Sequence, residues 1–381
     1  MFAQRFKTRL TDRRQSGLYR HPPEVTGRSG KYLLVDGRKA LNFASNDYLG
    51  LGVSDELRLR AARYFQKYGT SSSSSRLMSG NYSVINRAEK LYASYFGYED
   101  AVFFPSGYQA NMGILSGFFE PGDTVIFDKH VHASSVKGMS MSGATFYGYN
   151  HNSLTHLEKR LKAHQGRQVA LLTESLFSMD GDCLDISGIQ NLKDRYGFLT
   201  IVDEAHAFGA IGRGGRGIAG NVADVAVGTF GKALGLFGAF VLLPQGFKEY
   251  LFNFSSPLIY TTTLPEAHAA TAIDILEFIE GSDDRRARLR EVSRTLKEGL
   301  LHEGFRVSGN AHILALEIGD EDKAVRLSRG LLERNIFVLP ARYPTVPLHR
   351  AILRIGITAM HEEEDAILFV DGVKEVYGKI T

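Results

Sequence analysis

The sequence predicts an α/β protein with a large domain built on a mostly parallel central sheet, plus a small C-terminal α+β domain. Between about residues 40 and 280, short apolar runs alternate with longer segments of helical periodicity. After residue 304 this alternation gives way to a shorter mixed pattern. Continuously apolar strands separated by helices are typical of parallel sheets that are covered on both faces. A chain of 381 residues is long enough for such a two-part core.

Seven apolar runs are the strand candidates of the large domain. They are Ala101–Phe104, Thr124–Phe127, Thr145–Tyr149, Val169–Thr173, Leu199–Val202, Ala223–Val227 and Phe240–Leu243. The helix candidates between them include Ser83–Phe96, Ser153–His164 and Ile186–Tyr196. Ser83 and Ser153 are expected to cap the first two of these helices, and Gly197 is expected to end the third.

Three parts are expected along the chain: an N-terminal arm at 1–45, the large domain at 46–282 and the small domain at 283–381. The arm is polar and basic and contains a Pro22-Pro23 break. Gly281-Ser282-Asp283 lies between two helix candidates and marks the second boundary. Those helices are Pro265–Glu280 and Asp284–Glu303, and the predicted elements that follow are Ile313–Ile318, Lys323–Asn335, Ile336–Leu339, Ile352–Ile357 and Glu362–Tyr377.

Composition excludes several classes of function. The 45 basic and 42 acidic residues are spread evenly, so a nucleic-acid partner is not indicated. The single cysteine, Cys183, excludes an internal disulfide and fits a reducing compartment. No apolar run of eighteen residues is present, and the basic start of the chain lacks the apolar segment of a signal peptide. We therefore expect a cytoplasmic protein without a membrane partner.

Three segments carry residues suited to chemistry, each next to an apolar strand candidate. The run Thr200–His206 ends in Asp203, Glu204 and His206, at the strand end where open α/β sheets bind ligands. The segment Gly228–Gly235 places Lys232 among small residues, which leaves room for a ligand against its amine. Ser106-Gly107 precedes a helix candidate, whose first-turn N–H groups suit a phosphate.

Taken singly, each segment is more often a solvated loop, a turn or a helix cap. Together they supply a phosphate site, a strand-end carboxylate and an accessible lysine, the three parts that pyridoxal 5'-phosphate (PLP) requires. We therefore predict a PLP enzyme that carries its cofactor on Lys232, with Asp203 keeping the ring nitrogen protonated.

Competing motifs fail on their context. Asp203–His206 spells a helicase acidic box, but no phosphate loop of the form GxxxxGK[ST] precedes it. Gly212–Gly217 fits GxGxxG, yet it opens no convincing apolar helix and no acidic ribose ligand follows at the required distance. His130 and His132 lack a third ligand at diagnostic spacing, so no metal site is predicted.

Eight motifs together resemble those of the α-oxoamine synthases. These are fold-type I PLP-dependent enzymes that condense an amino acid with an acyl thioester and release carbon dioxide. The resemblance covers residues 40 to 375 and keeps the motifs in the family's order. The motifs are Ser45–Leu51, Arg76–Asn81, Ser106–Asn111, Asp128–Ser134, Glu174–Gly181, Asp203–His206, Thr229–Lys232 and Pro344–Pro347.

The resemblance implies a role for each matched residue. Lys232 carries the cofactor and removes the Cα proton, Asp203 pairs with the ring nitrogen, His206 bonds the ring hydroxyl and His132 stacks on the ring. The further cofactor-binding residues that it implies are Ser106, Gly107, Tyr108, Ser178, Thr229 and Thr262. Thr262 is expected to reach the phosphate of a neighbouring subunit, which implies a homodimer with shared active sites.

The resemblance also implies the substrate-binding residues. Arg354 is expected to bind the amino-acid carboxylate together with Asn46, because a guanidinium can hold a carboxylate with two hydrogen bonds. Arg20, in the arm, is the expected basic residue near the acyl chain. Thr345 and His132 complete the predicted substrate site.

Within the family, the short chain and three motifs resemble the branch that joins L-alanine to a pimeloyl thioester in biotin biosynthesis. The motifs are Phe177–Gly181, Pro344–Pro347 and Thr358–Glu362. Ser71–Ser75 departs from the glycine-rich stretch expected there, and serine restricts the backbone more than glycine does. The donor's chain length, its attachment to CoA or a carrier protein, and the choice among alanine, glycine and serine stay open.

Three alternatives also stay open. An autoinducer-type synthase would use a medium-chain acyl-CoA, and an aminotransferase would share the fold without using a thioester. A non-catalytic partner subunit is the third, although the joint presence of Lys232, Asp203, His206 and His132 argues against it.

Overall fold

A computed structural model of the protein describes residues 1–380. The strands in chain order are β1 Val25–Ser29, β2 Tyr32–Val35, β3 Arg38–Asn42, β4 Asp100–Phe104, β5 Thr124–Asp128, β6 Thr145–Tyr149, β7 Val169–Glu174, β8 Leu199–Asp203, β9 Val225–Thr229, β10 Ala239–Leu243, β11 Val307–Ser308, β12 Ile313–Gly319, β13 Ile336–Phe337, β14 Leu339–Ala341 and β15 Ala351–Gly356. The helices are α1 Phe2–Gln15, α2 Asp55–Tyr68, α3 Ser83–Phe96, α4 Gly107–Phe118, α5 Ala133–Met141, α6 Leu154–Ala163, α7 Ile186–Tyr196, α8 Phe247–Phe254, α9 Ser256–Ile259, α10 Glu266–Glu280, α11 Asp283–His302, α12 Glu321–Glu333 and α13 Glu363–Ile380.

The chain divides into two compact units. The central unit comprises Leu51–Ser178 and Cys183–Arg286. The terminal unit comprises Met1–Gly50, Met179–Asp182 and the residues from Ala287 onward. The three-part division at residues 45 and 282 stays a prediction about domains. Among the described helices, none combines the length and apolar character needed to cross a membrane.

The central unit is built on a seven-stranded sheet in the order β4-β10-β9-β8-β7-β5-β6. Neighbouring strands from β9 to β6 are parallel, whereas β10 runs antiparallel to both β4 and β9. The core is apolar and fully buried, as at Ile114 of α4 and at Val125, Ile201 and Val241 of the sheet. Each such side chain contributes roughly 1.5–3 kcal/mol to folding. The predicted mostly parallel sheet is confirmed.

Local capping explains where several helices begin and end. The Ser153 side chain accepts a hydrogen bond from the His156 N–H and caps α6, as predicted. Gly197 ends α7 in the left-handed conformation, also as predicted. The expected cap at Ser83 is wrong. Tyr82 takes the extended cap position and Ser83 is already the first helical residue.

The terminal unit contains two four-stranded sheets, ordered β1-β2-β3-β13 and β11-β12-β15-β14. The predicted strand Ile336–Leu339 is in fact two short strands, β13 and β14, which belong to different sheets. The N-terminal arm contributes three strands that the polar sequence did not predict. They form because β1 and β2 make a hairpin and β3 pairs in parallel with the distant β13.

Candidate active site

A cavity of about 190 Å³ lies in the central unit at the carboxyl ends of the parallel strands. Its lining residues are Gly107, Tyr108, Asn111, His132, Ser134, Glu174, Asp203, Ala205, His206, Val227, Thr229 and Lys232. Asp203 is the last residue of β8, and Glu174 is the last residue of β7 directly opposite it in the parallel register. The three segments singled out in the sequence therefore meet in one cavity, at the position where open α/β sheets bind ligands.

Lys232 follows β9 in a tight turn. Its Nζ lies 2.7 Å from Nε2 of His206. The Thr229 hydroxyl closes the turn, donating to the Gly238 carbonyl and accepting from the Gly231 N–H. Gly235 has φ +67°, and a Cβ there would lie 2.3 Å from the Gly52 nitrogen, so only glycine fits. The turn thus fixes the lysine through backbone geometry.

Asp203 is a buried carboxylate, 8% exposed, with one hydrogen bond to each oxygen. Its Oδ2 accepts from Nδ2 of Asn111 at 2.8 Å, and its Oδ1 accepts from the Ala205 N–H at 2.9 Å. These two contacts fix the plane of the carboxylate. Asn111 is the last residue of the Ser106–Asn111 motif, but the sequence did not predict a role for it.

His132 lines the same cavity and remains partly exposed to solvent. The backbone N–H of His132 donates to Oε1 of Glu174 at 2.6 Å, and its ring meets that of Tyr108 edge-on at 6.4 Å. Desolvation lowers the pKa of His132; the nearby Asp203 charge opposes this and the Lys232 charge adds to it. The imidazole is therefore favoured in its neutral form.

Glu174 is a second buried carboxyl group that sequence reasoning did not assign. Burial raises the pKa of Glu174 well above its ordinary value, and the neighbouring Asp203 charge raises it further. Burial therefore favours the protonated form of Glu174. A signal for Glu174 was available, because it ends an apolar strand just as Asp203 does.

The N-terminus of α4 forms another wall of the cavity. Ser106 caps this helix, its Oγ accepting from the Gln109 N–H at 3.2 Å. Gly107 and Tyr108 contribute first-turn N–H groups, which have no partner within a helix and favour a bound anion. An anion site, a buried carboxylate and a lysine within one cavity fit PLP, whose phosphate, ring nitrogen and aldehyde need these three groups.

Besides Ser106, which caps α4, two predicted cofactor residues lie outside the lining of this cavity. Ser178 is half-buried in the turn that follows β7, and Thr262 is exposed after α9. Thr229 does line the cavity, but its hydroxyl is engaged within the lysine turn. The cofactor roles of these three residues stay predictions.

The predicted substrate residues other than His132 belong to the terminal unit, where they form two groups. Nη2 of Arg20 donates to Oγ1 of Thr345 at 3.0 Å. Nη2 of Arg354 donates to the hydroxyl of the fully buried Tyr48 at 3.3 Å, and this hydroxyl donates to Oδ1 of Asn46 at 3.0 Å. Tyr48, which had no predicted role, thus links Arg354 to Asn46.

The class of protein follows from a match to a known family. Residues 38–371 match the family described as aminotransferase class I and II, and they span most of the chain.

Individual relatives narrow the class. The chain is 38% identical over 373 residues to 8-amino-7-oxononanoate synthase from Haemophilus ducreyi, covering 93% of this chain and 96% of that one. It superposes on serine palmitoyltransferase from Sphingomonas wittichii with TM-score 0.92 and 28% identity, covering 100% and 98% of the two chains. For 8-amino-7-oxononanoate synthase from Francisella tularensis the TM-score is 0.77 and the identity 29%, covering 88% and 97%.

The chain belongs to the α-oxoamine synthase family within the class I and II aminotransferases. It is a PLP-dependent acyltransferase of fold type I, and PLP is its cofactor. The family, fold, enzyme class and cofactor predicted from the sequence are confirmed.

Proposed function

We propose that this enzyme condenses L-alanine with a pimeloyl thioester, either pimeloyl-CoA or pimeloyl-carrier protein. The products are the aminoketone 8-amino-7-oxononanoate, free CoA or carrier, and carbon dioxide, which places the reaction in biotin biosynthesis. The observation that carries the proposal is the 38% identity to the Haemophilus ducreyi synthase of this name, across 93% of the chain.

The residues of the cavity suit that reaction. Bound PLP supplies an electron sink that stabilises negative charge at the amino-acid Cα. Lys232 would carry the cofactor and, after the amino acid has displaced it, its free amine would take the Cα proton; that amine lies 2.7 Å from Nε2 of His206. Asp203 would hold the protonated ring nitrogen, His206 would bond the ring hydroxyl, and His132 would lie against the ring. The N-terminus of α4, with Ser106, Gly107 and Tyr108, holds the phosphate.

Substrate recognition is proposed for the polar groups of the terminal unit. Arg354 binds the amino-acid carboxylate with Asn46, and the Tyr48 hydroxyl between them restrains both side chains. Arg20, restrained by Thr345, binds the terminal carboxylate of the pimeloyl chain. A neutral medium-chain donor would leave the Arg20 charge without an anion, which favours a dicarboxylic acyl chain.

We also propose that the enzyme is a cytoplasmic homodimer in which Thr262 reaches the phosphate of the neighbouring subunit. Near Thr262 in the sequence, Tyr260 is 83% exposed and Phe254 is 60% exposed. Large aromatic side chains exposed this close together are typical of an interaction surface.

A matrix of donors and acceptors tests the proposal. Alanine, glycine and serine are each combined with pimeloyl-CoA, a medium-chain acyl-CoA and palmitoyl-CoA, and thiol release is measured with PLP-loaded enzyme. The proposal predicts fast release for alanine with pimeloyl-CoA, and an aminoketone of the matching mass. Arg20→Ala should raise the KM for pimeloyl-CoA and leave that for alanine unchanged. Fast release only with another pair would refute the substrate assignment.

A different α-oxoamine synthase is the second candidate, favoured by the TM-score of 0.92 to serine palmitoyltransferase. The serine run also differs from the expected glycine-rich stretch. Ser72 Oγ donates to the Thr263 carbonyl at 2.7 Å, and the Thr263 N–H donates to the Ser74 carbonyl at 3.0 Å. The run is thus tied to the residue after Thr262. If it contacts the acyl group, serine or a longer or medium-chain acyl-CoA is the preferred substrate, and the same matrix detects it.

An aminotransferase is the lesser alternative. It would convert an amino acid and an oxo acid without consuming a thioester. Amino-acid turnover with no thiol release from any acyl-CoA would identify it.

A further inference from the structure

A chain of hydrogen bonds connects Asp203 to His132 through two side chains. Nδ2 of Asn111 lies 2.8 Å from Oδ2 of Asp203 and 3.0 Å from Oγ of Ser134. The same Oγ lies 2.7 Å from Nδ1 of His132. Asn111, Ser134 and Asp203 are buried, at 2%, 0% and 8% exposure, whereas His132 at the end of the chain of bonds is exposed.

The chemistry of the groups fixes the direction of the two bonds that Asn111 makes. An ionised carboxylate only accepts, so the Asn111 atom facing Asp203 is the amide nitrogen. That nitrogen has two hydrogens, and the second points to Ser134 Oγ. Because Ser134 Oγ accepts this hydrogen, its own hydrogen is free to go to Nδ1 of His132. Each donor in the chain is therefore matched to one acceptor.

A second donor reaches the same histidine nitrogen from the backbone. The Ser134 N–H lies 3.3 Å from Nδ1 of His132, and a peptide N–H can only donate. This N–H needs the lone pair of Nδ1 and so disfavours a hydrogen on that atom, and the Ser134 hydroxyl can then donate to the same lone pair. The ring must carry its proton on Nε2, because a neutral imidazole has one protonated nitrogen.

The geometry points to Asn111 and Ser134 as positioning residues that hold His132 as a neutral imidazole protonated only on Nε2. They also tie the orientation of the ring to the Asp203 carboxylate. The arrangement is the one by which a histidine is usually oriented, with its second nitrogen engaged by a fixed partner. Its catalytic meaning rests on the proposed function. A neutral ring adds no positive charge beside the cofactor, and Nε2–H is left as a donor.

The charged and titratable groups facing His132 agree with a neutral ring. Lys232 follows β9 and disfavours a second cation, whereas Asp203 at the end of β8 favours one. Glu174, at the end of β7, is favoured as the uncharged acid and accepts the backbone N–H of His132. The Tyr108 ring is nearly perpendicular to that of His132, with 6.4 Å between their centres. With desolvation as the largest influence, the pKa of His132 is lowered.

The test uses the tautomer itself, measured on the full-length protein without added cofactor. Long-range 1H–15N correlation spectra of ¹⁵N-histidine-labelled enzyme at pH 7 distinguish an Nε2–H ring from an Nδ1–H ring and from the cation. His132→Gln assigns the signal. The expected result is a neutral Nε2–H ring. An Nδ1–H ring or a cation at His132 in the wild-type protein overturns the assignment.

Variants then separate positioning from general stability. Ser134→Ala removes the hydroxyl donor, so we expect a mixed tautomer population and an upward shift in the pKa of His132. In the PLP-loaded enzyme, kcat should fall about tenfold with little change in the KM for the amino acid. Ser134→Thr keeps a hydroxyl and should restore the Nε2–H signal. Ser135→Ala, one residue further in α5 and equally buried, is the matched control and should leave the His132 spectrum unchanged.

The outcomes also separate this inference from the substrate assignment. The tautomer is a property of the cofactor-free chain, so an Nε2–H ring supports it even if pimeloyl-CoA is not a substrate. An unchanged His132 titration in folded Ser134→Ala, or equal changes in Ser135→Ala, would refute the positioning role. Folding is checked for each variant by circular dichroism.

Discussion

Glu204 provides the sharpest prediction about pH and stability. It follows Asp203 and is 1% exposed. Its Oε2 accepts from the Ser175 hydroxyl at 2.5 Å, and its Oε1 accepts from the Ala219 N–H at 2.7 Å and the Ile218 N–H at 3.2 Å. Desolvation raises the pKa of Glu204 from 4.5 to about 7, although these hydrogen bonds oppose the change.

The magnitude follows from the difference between the two pKa values. Each unit of pKa corresponds to 1.36 kcal/mol, so the difference between 4.5 and about 7 is worth about 3 kcal/mol. The folded state binds this proton more tightly than the unfolded chain. The stabilising contribution is therefore complete below about pH 4.5 and is lost as the pH rises through about 7.

Glu204→Gln removes this titration and keeps an oxygen for the Ala219 and Ile218 N–H groups. We expect the variant and wild type to have similar free energies of unfolding near pH 5. By pH 8 the variant should be more stable, by up to about 3 kcal/mol. Denaturant unfolding of the cofactor-free proteins at pH 5, 6, 7 and 8 measures the difference. Glu298→Gln, on the exposed face of α11, is the control and should show no such divergence. A constant difference across this range would refute the reasoning.

Three further predictions concern stability and are measured by denaturant unfolding. Glu89→Ala should cost about 3–5 kcal/mol, because it leaves the buried Arg76 guanidinium without its partner at 2.6 Å; Glu298→Ala is its exposed control. Ser73→Gly should stabilise the protein by about 0.5–1 kcal/mol. At φ +52° the strain energy of a serine exceeds the extra chain entropy that a glycine loses on folding, and destabilisation would contradict this. Gly217→Ala should cost about 2 kcal/mol or more, since φ is +74° and the new Cβ would lie 2.6 Å from Glu204 Oε2. An unchanged denaturant midpoint would contradict this and show that the loop shifts to accommodate the methyl group.

The sequence predicted the central sheet well because its strands are continuously apolar. The run ending at Asp203 and the helix Ser83–Phe96 appear in the structure with nearly the predicted bounds. Strand β1 was missed because it is mostly polar and exposed, and β2 because its apolar run is only four residues long. Strand β3 depends on pairing with β13 almost 300 residues away. Such long-range pairing leaves no periodicity in the local sequence.

The site was predictable where a strand end or a turn concentrates reactive groups. Lys232, Asp203, His206 and His132 were all predicted as site residues, and the structure places them in the lining of one cavity. Asn111 and Ser134 were not, because a neutral polar residue inside a helix has no distinctive local pattern. Their importance depends on which atoms face one another across α4, α5 and β8, and that distance information exists only in the folded chain.

The most direct test of the account is to find the lysine that carries the cofactor. Enzyme loaded with PLP is reduced with borohydride and digested, and the peptides are analysed by mass spectrometry. The account predicts a phosphopyridoxyl group on the peptide containing Lys232, and none on that peptide in Lys232→Ala. Lys129→Ala, which removes a lysine whose Nζ donates to Asn150, should leave the labelling unchanged. Stoichiometric label on another lysine, or no label at all, would contradict the assignment of the active site.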